Sequence, residues 1–192
     1  LHDALPIFQQ ARVLISAMAE RRQAYQVLLA EEQSRRLAGI SERLSTTVEL
    51  RDLLEILANA LPELDVPTCH IALYEDPARP AELARLVMAY GPPGQLTIEP
   101  EGRVFPAQEL APPDLLPATR RYSLSVQPLY FREDQIGFAV FEAAPEREEV
   151  YELLRGEISG ALKRLQLLAR NVELYREAVR GRVVAEEGRR LA

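Results

Sequence analysis

Two histidines, one cysteine and a short run of alternating polar residues are where this chain could carry chemistry. Cys69 and His70 are adjacent. Neighbours in an extended strand point to opposite faces, so these two cannot act on each other as nucleophile and base. His2 stands in a leader, LHDALPIF, that matches nothing after it. No Cys or His pair has the spacing of zinc ligands, so no metal site is expected. No glycine-rich phosphate loop follows a strand, because Gly91-Pro92-Pro93-Gly94 offers too few free N–H groups. On their own, His70 reads as a partly buried strand histidine and Cys69 as a small core residue.

The remaining chemistry is polar alternation. Ser123, Ser125 and Gln127 alternate with Tyr122, Leu124 and Val126, while His70, Ala72 and Tyr74 alternate with Cys69, Ile71 and Leu73. If both strands turn their apolar sets toward packing helices, then His70, Tyr74, Ser123, Ser125 and Gln127 share the opposite face. Beneath a covering loop they form a ligand pocket, since a buried polar group without a partner costs about 1–3 kcal/mol. Without that cover they form an ordinary solvated sheet face. No catalytic set is visible, and the residues specify no cofactor and no ligand identity.

Several elements must position this face. From Gln9 to about Leu44 the chain is built of strong helix formers without a proline, with Gly39 the one glycine. Ala11, Leu14, Met18, Tyr25 and Leu28 hold a heptad seam that Arg21 interrupts, and Leu37, Ile40 and Leu44 resume it in a shifted register. A second coiled-coil arm or a solvated linker helix satisfies this pattern. At Ser45-Thr46-Thr47 a new helix is expected, with Thr46 and Glu49 as a capping box. Leu50, Leu53, Leu54, Leu57 and Leu61 give it a wide apolar face, and Pro62 closes it.

Strands are expected over 68–74, 83–90, 122–131 and 135–143, with a hairpin turn at Arg132-Glu133-Asp134. In the last strand Ile136, Phe138 and Val140 alternate with Gly137, Ala139 and Phe141, so it is apolar on both faces and belongs mid-sheet. Residues 91–119 hold seven prolines. They read as a long functional loop, with one short strand near 103–105 and one helical turn near 113–117.

A terminal helix follows Pro145. Apolar residues fall at Tyr151, Leu154, Ile158, Ala161, Leu165, Leu168, Val172, Tyr175 and Val179, spaced alternately three and four apart. This is the seam of a heptad repeat and asks for a partner helix. Leu153, Leu162, Leu167 and Ala169 widen the face in the first half, so the helix first packs on a domain and then pairs with a second copy. The expected homodimer seam is Leu165, Leu168, Val172, Tyr175 and Val179.

Composition sets the bounds. A length of 192 residues with 47% hydrophobic content allows one globular domain with helical appendages. The net charge of −6 argues against a nucleic-acid surface. A single cysteine fits a reducing, cytoplasmic setting. The longest charge-free apolar run near the start, Val13–Ala19, is too short to cross a bilayer, so no membrane insertion of this stretch is expected. The expected organisation is a non-native leader at 1–8, a helical coiled-coil arm at 9–45, a sensory domain at 46–168 and a signalling helix at 169–192.

The helix ELRDLLEILANALPEL, the strand TCHIALYE and the hairpin SVQPLYFREDQIGFAVFE resemble a GAF domain over residues 46 to about 168. That resemblance implies an α/β fold of the α+β type. It would have a central antiparallel sheet of five or six strands, helices on one face and a loop-covered pocket on the other. Long coiled-coil helices would flank it at both ends. LYREAVRGRVVAEEGRRLA resembles the linker that leads into the phosphotransfer region of sensor histidine kinases, with Ala185-Glu186-Glu187 and Arg190-Leu191 as the matching residues. Receptor-linked diguanylate cyclases and phosphatases use similar helices. The expected role is a regulatory, non-catalytic module of a two-component signalling protein. It would sense a small molecule or partner and pass the signal through a coiled coil to an output domain. The competing reading is a ligand-free spacer that sets dimer geometry.

The seam changes character past Val179. Its next positions, Arg182, Glu186 and Arg189, are charged, and Val183, Val184 and Leu191 fall off register. Gly181 and Gly188 each weaken the helix by about 1 kcal/mol relative to Ala. Amide hydrogen exchange is therefore expected to be slow around Leu165 and fast from Arg182 onward. Uniform protection to the end would contradict a loosened terminus.

Overall fold

The computed structural model describes the backbone of residues 5–92, 94–99, 101–117, 120–144 and 147–190. Side chains are described at 18, 21–25, 27–28, 31–32 and, within those ranges, from 34 to 180. The chain divides into two compact units, Leu1–Gly39 and Ile40–Ala192. The first consists of the helix α1 (Leu5–Ser45) up to Gly39. Of its expected seam, Met18, Tyr25 and Leu28 are exposed, while the side chains of Ala11 and Leu14 lie outside the described residues.

The second unit holds everything from the last turns of α1 onward. It contains α2 (Leu50–Glu63), β1 (Cys69–Tyr74), β2 (Leu83–Gly91), β3 (Gly94–Gln95) and β4 (Arg103–Pro106). β5 (Leu124–Phe131), β6 (Asp134–Glu142) and α3 (Glu148–Arg190) complete it, and two short 3₁₀ turns, Ala107–Glu109 and Pro113–Leu115, lie in the long loop. The sheet is antiparallel in the order β3-β2-β1-β6-β5, with β4 also paired to β2. β6, apolar on both faces, lies inside the sheet between β1 and β5 as its pattern requires.

Each face of the sheet carries its own layer. On one side Cys69, Ile71, Met88, Ala139 and Phe141 are buried beneath the helices, and the Phe141 ring stacks on Tyr151 of α3 at 4.7 Å. Leu53, Leu57 and Leu61 of α2 and Leu154 and Ile158 of α3 are fully buried. The end of α1 joins this layer through buried Ile40 and Leu44. There Ser41 donates to Glu157 at 2.8 Å, and Arg164 donates to the Leu44 carbonyl at 3.1 Å, adding a second element to the cap of the helix C-terminus. On the other side Ala72, Ala84, Leu86, Phe105, Phe138 and Val140 form a second core. Leu96, Ile98, Leu110 and Leu115 of the long loop pack against it. This is the arrangement that the family resemblance implied: helices on one face, loop on the other.

The capping box at Thr46 and Glu49 does not form. Glu49 caps α2 without a side-chain bond. The hydroxyls of Ser45, Thr46 and Thr47 instead donate back to the carbonyls of Glu42, Arg43 and Leu44. The open carbonyls at the end of α1 lie three residues behind each hydroxyl and take them first. The apolar pattern of α2 ends at Pro62 as expected, and the helix itself ends one residue later, at Glu63.

α3 is one unbroken helix of 43 residues. Val150, Tyr151, Leu154, Ile158, Ala161 and Leu162 are buried, whereas Leu168, Val172, Tyr175 and Val179 are exposed, Tyr175 at 71%. Leu165 lies between, partly buried. Side chains beyond residue 180, where the seam is expected to loosen, lie outside the described residues. Among the described residues no helix is long and apolar enough to cross a membrane.

Gly137 explains the glycine of the last hairpin. A Cβ there would stand 2.0 Å from the Ala72 carbonyl oxygen and 2.8 Å from the Leu73 Cα, both backbone atoms of β1. Backbone cannot yield as the end of a side chain can, so Gly137→Ala must spread the central β1–β6 pair. We expect the substitution to cost about 2–3 kcal/mol in urea unfolding, at the upper end of overpacking. An unchanged midpoint would show that β1 moves aside freely.

Candidate functional site

The strand registers decide which polar residues meet. His70 pairs with Val140 and Tyr74 with Ala84, placing both histidine and tyrosine on the loop-covered face. Ser125 pairs with Phe141 and Gln127 with Ala139, on the helix face. Ser123 lies just before β5 and its carbonyl accepts from Ala143 N–H at 2.8 Å. The expected cluster of His70, Tyr74, Ser123, Ser125 and Gln127 therefore does not assemble. Leu124 and Val126, expected to face the helices, lie on the loop side of the sheet. Gln127 is buried under α3 and donates to Ser125 at 3.3 Å. The reversal follows from the two-layer build: with an apolar layer on each face, an apolar set has two sides to choose from, and hairpin register decides.

Tyr74 and His70 also separate. They are four residues apart on one strand, about 13 Å. Tyr74 packs on Phe138 and borders a cavity of about 370 Å³ with Tyr130, Arg132 and Gln135. Desolvation raises its phenol above the usual range.

His70 borders a cavity of about 280 Å³ at the opposite end of β1. Thr68 and Tyr90 line it from the sheet, Leu96, Leu115, Leu116 and Pro117 from the long loop, and Arg120, Tyr122, Leu124 and Glu142 from the β5 side. His70 is 6% exposed, and its Nδ1 finds no hydrogen-bond partner among the described residues. Burial lowers its pKa, so the imidazole is neutral near pH 7. Arg120 grips Glu142 with both terminal nitrogens, one of them at 2.6 Å. The guanidinium hydrogen bond holds the Glu142 carboxyl below the ordinary glutamate range, so the pair is ionised and internally balanced.

Glu142 has contacts on both sides of the sheet. Its carboxylate lines the cavity, its N–H donates to Thr68 Oγ1 at 3.0 Å, and its carbonyl accepts from the Tyr151 hydroxyl of α3 at 2.8 Å. Sequence reading missed Thr68, Arg120, Tyr122 and Glu142. Arg120 and Glu142 are 22 residues apart and meet through the hairpin register, for which no local motif exists.

A third cavity, about 600 Å³, lies between Leu50, Arg51 and Leu54 of α2 and the loop residues Ile98, Glu99, Glu101 and Gly102. Cys69, fully buried, has its thiol pKa pushed up by desolvation, which leaves it a core residue without nucleophilic character.

Among solved structures, the chain is similar to residues 122 to 287 of a methyl-accepting chemotaxis protein. The TM-score is 0.50 at 19% identity, over 67% of this chain and 98% of that one. It is also aligned with the GAF domain from Acinetobacter phosphoenolpyruvate-protein phosphotransferase. There the TM-score is 0.49 at 14% identity, over 72% and 98% of the two chains. The likeness to the chemotaxis protein fragment is one of fold. No protein-family model and no curated protein matches the sequence.

A buried neutral His70 makes stability depend on pH. Its folded pKa lies below the ordinary 6.5, so the unfolded chain takes up the proton more readily. Its contribution is complete above pH 6.5 and is lost as pH falls toward the folded value. The wild type should therefore lose stability below pH 6.5 with a slope of at most about 1.4 kcal/mol per pH unit from this group. His70→Phe should remove that slope while keeping the acid loss that sets in below the ordinary glutamate value of 4.5, where the unfolded chain protonates Glu142 ahead of the folded one. Parallel curves for both proteins between pH 6.5 and 5 would contradict the assignment.

Proposed function

We propose that this chain is a GAF-type sensory and dimerisation module. It reads a small molecule in the His70 cavity and relays occupancy through α3 to an output domain, a histidine kinase being the reading its terminal residues favour. The observation that carries this is Glu142, which forms part of the cavity wall while its carbonyl holds Tyr151 of α3. A change that moves the Arg120–Glu142 pair acts on the residue whose carbonyl anchors the exiting helix. Such a bias needs differential contact with two states, and this reading locates it at Glu142. The fold is shared with a fragment of a methyl-accepting chemotaxis protein, which fits this reading. The module works in the cytoplasm in this reading, has no catalytic step of its own and acts as a parallel homodimer.

The dimer rests on the outer half of α3. Leu168, Val172, Tyr175 and Val179 repeat at three- and four-residue spacing and are all exposed within one chain. A second copy in register would cover them as a heptad seam. One observation favours the competing reading, a ligand-free spacer: the loop-covered face already has its own core of Phe105, Phe138, Leu86 and Val140. A native mass spectrum of gently purified protein separates the two. A retained small molecule supports the sensor, and a bare chain under conditions that keep the dimer supports the spacer.

Changing Leu168 and Val172 together to Glu places like charges along the seam. Light scattering is expected to show monomers, with the circular dichroism of the domain unchanged because both residues lie outside its core. A variant that stays dimeric would move the principal interface elsewhere.

A further inference from the structure

We propose that the His70 cavity takes an uncharged aromatic molecule of one small ring system, held by apolar contact and by one hydrogen bond to the imidazole. This rests on the sensory reading of the same cavity. Size is the first constraint. About 280 Å³ of space, at ~30 Å³ per water-sized unit, holds roughly ten non-hydrogen atoms. A nucleotide or a tetrapyrrole exceeds that.

Charge is the second. Arg120 and Glu142 are the cavity's ionic groups, and each occupies the other with two hydrogen bonds. An anion drawn to Arg120, 49% exposed, would sit beside the negative Glu142 carboxylate, 21% exposed. A cation drawn to Glu142 would meet the positive guanidinium of Arg120. His70 adds no charge, because its buried ring is neutral. The lining thus balances itself and rewards a neutral guest.

Shape and polarity are the third. Leu96, Leu115, Leu116, Leu124 and Pro117 supply apolar surface, and Tyr122 adds an aromatic ring. Against this stands His70, a 6% exposed imidazole in the cavity wall with no hydrogen-bond partner among the described residues. A guest with one donor or acceptor beside a ring matches that inventory, since a site built with a single unmet polar group rejects guests that cannot pair with it.

The test uses the full chain with four probes: indole and benzamide as neutral rings, benzoate as the anion nearly isosteric with benzamide, and cyclic AMP as a larger anion. Binding is read by saturation-transfer NMR and by the shift in Tm. Indole and benzamide are expected to bind, with benzoate at least ten-fold weaker and cyclic AMP absent. Leu116→Trp, on the loop side of the cavity, should abolish binding by filling it. His70→Phe, which keeps the ring size, should weaken benzamide about ten-fold with circular dichroism unchanged. Benzoate or cyclic AMP binding as tightly as benzamide, and lost in Leu116→Trp, would overturn the neutral class while leaving the sensory reading intact. Binding that survives both variants would overturn the site. No binding by any probe would overturn the class, and the native mass spectrum then decides the sensory reading separately.

Discussion

β6 is apolar on both faces, and a strand buried on both faces needs a layer on each side. Ile136, Phe138 and Val140 ask for one layer and Ala139 and Phe141 for the other. The helices α2 and α3 supply the second, with Tyr151 stacked on Phe141. The long loop supplies the first, with Leu96, Ile98, Leu110 and Leu115 reaching over Phe105 and Phe138. The seven prolines of residues 91–119 suit that task, because Pro restricts the unfolded loop and lowers the entropy lost when it is laid down. Gly137 belongs to the same constraint. A mid-sheet strand flanked closely by β1 leaves no room for a side chain where the Ala72 carbonyl comes within 2.0 Å of the Cβ position.

Most of this was legible in the sequence. The alternation of β1 and β6, the 3₁₀ turn at Pro113–Leu115 and the length of α3 follow from period and punctuation alone. The orientation of β5 did not follow. Its alternation sets Leu124 and Val126 against Ser125 and Gln127, and an apolar-inward rule sends the first pair to the helices. The registers send them to the loop. The signal that could have corrected this lies two residues further on. Leu129, one of the most buried residues of the strand, continues the set of Ser125 and Gln127, and Pro128 continues that of Leu124 and Val126. A bulge after Leu129 then breaks the alternation that a longer strand would have used to settle the question.

The caps failed for a different reason. A hydroxyl between two helices has two sets of orphan groups within reach, the carbonyls behind it and the N–H groups ahead. At Ser45-Thr46-Thr47 all three hydroxyls turn backward. Motif reading sees the capping box ahead because Glu49 marks it, and it has no comparable mark for the open carbonyls of Glu42 to Leu44. The candidate site was hidden in a similar way. Arg120 and Glu142 acquire meaning only from the hairpin register, which brings the residues before β5 beside the end of β6.

That same register brings the cavity wall and the anchor of α3 together on one residue. Glu142 is fixed at three points: N–H to Thr68, carbonyl to Tyr151 and carboxylate to Arg120. Tyr151 is fully buried and lies one turn into α3, so its ring and hydroxyl set where the helix leaves the sheet. From Leu162, the last buried residue, to Val179 the helix extends about 25 Å at 1.5 Å per residue. Over that lever a tilt of a few degrees at the packed end becomes an ångström or two at the exposed stripe. Interdigitated seams respond to shifts of that size by repacking between discrete arrangements, since packed interfaces do not deform continuously. A domain built this way needs no large motion within its core. It needs a cavity wall and a helix anchor that share one residue, and Glu142 is that residue.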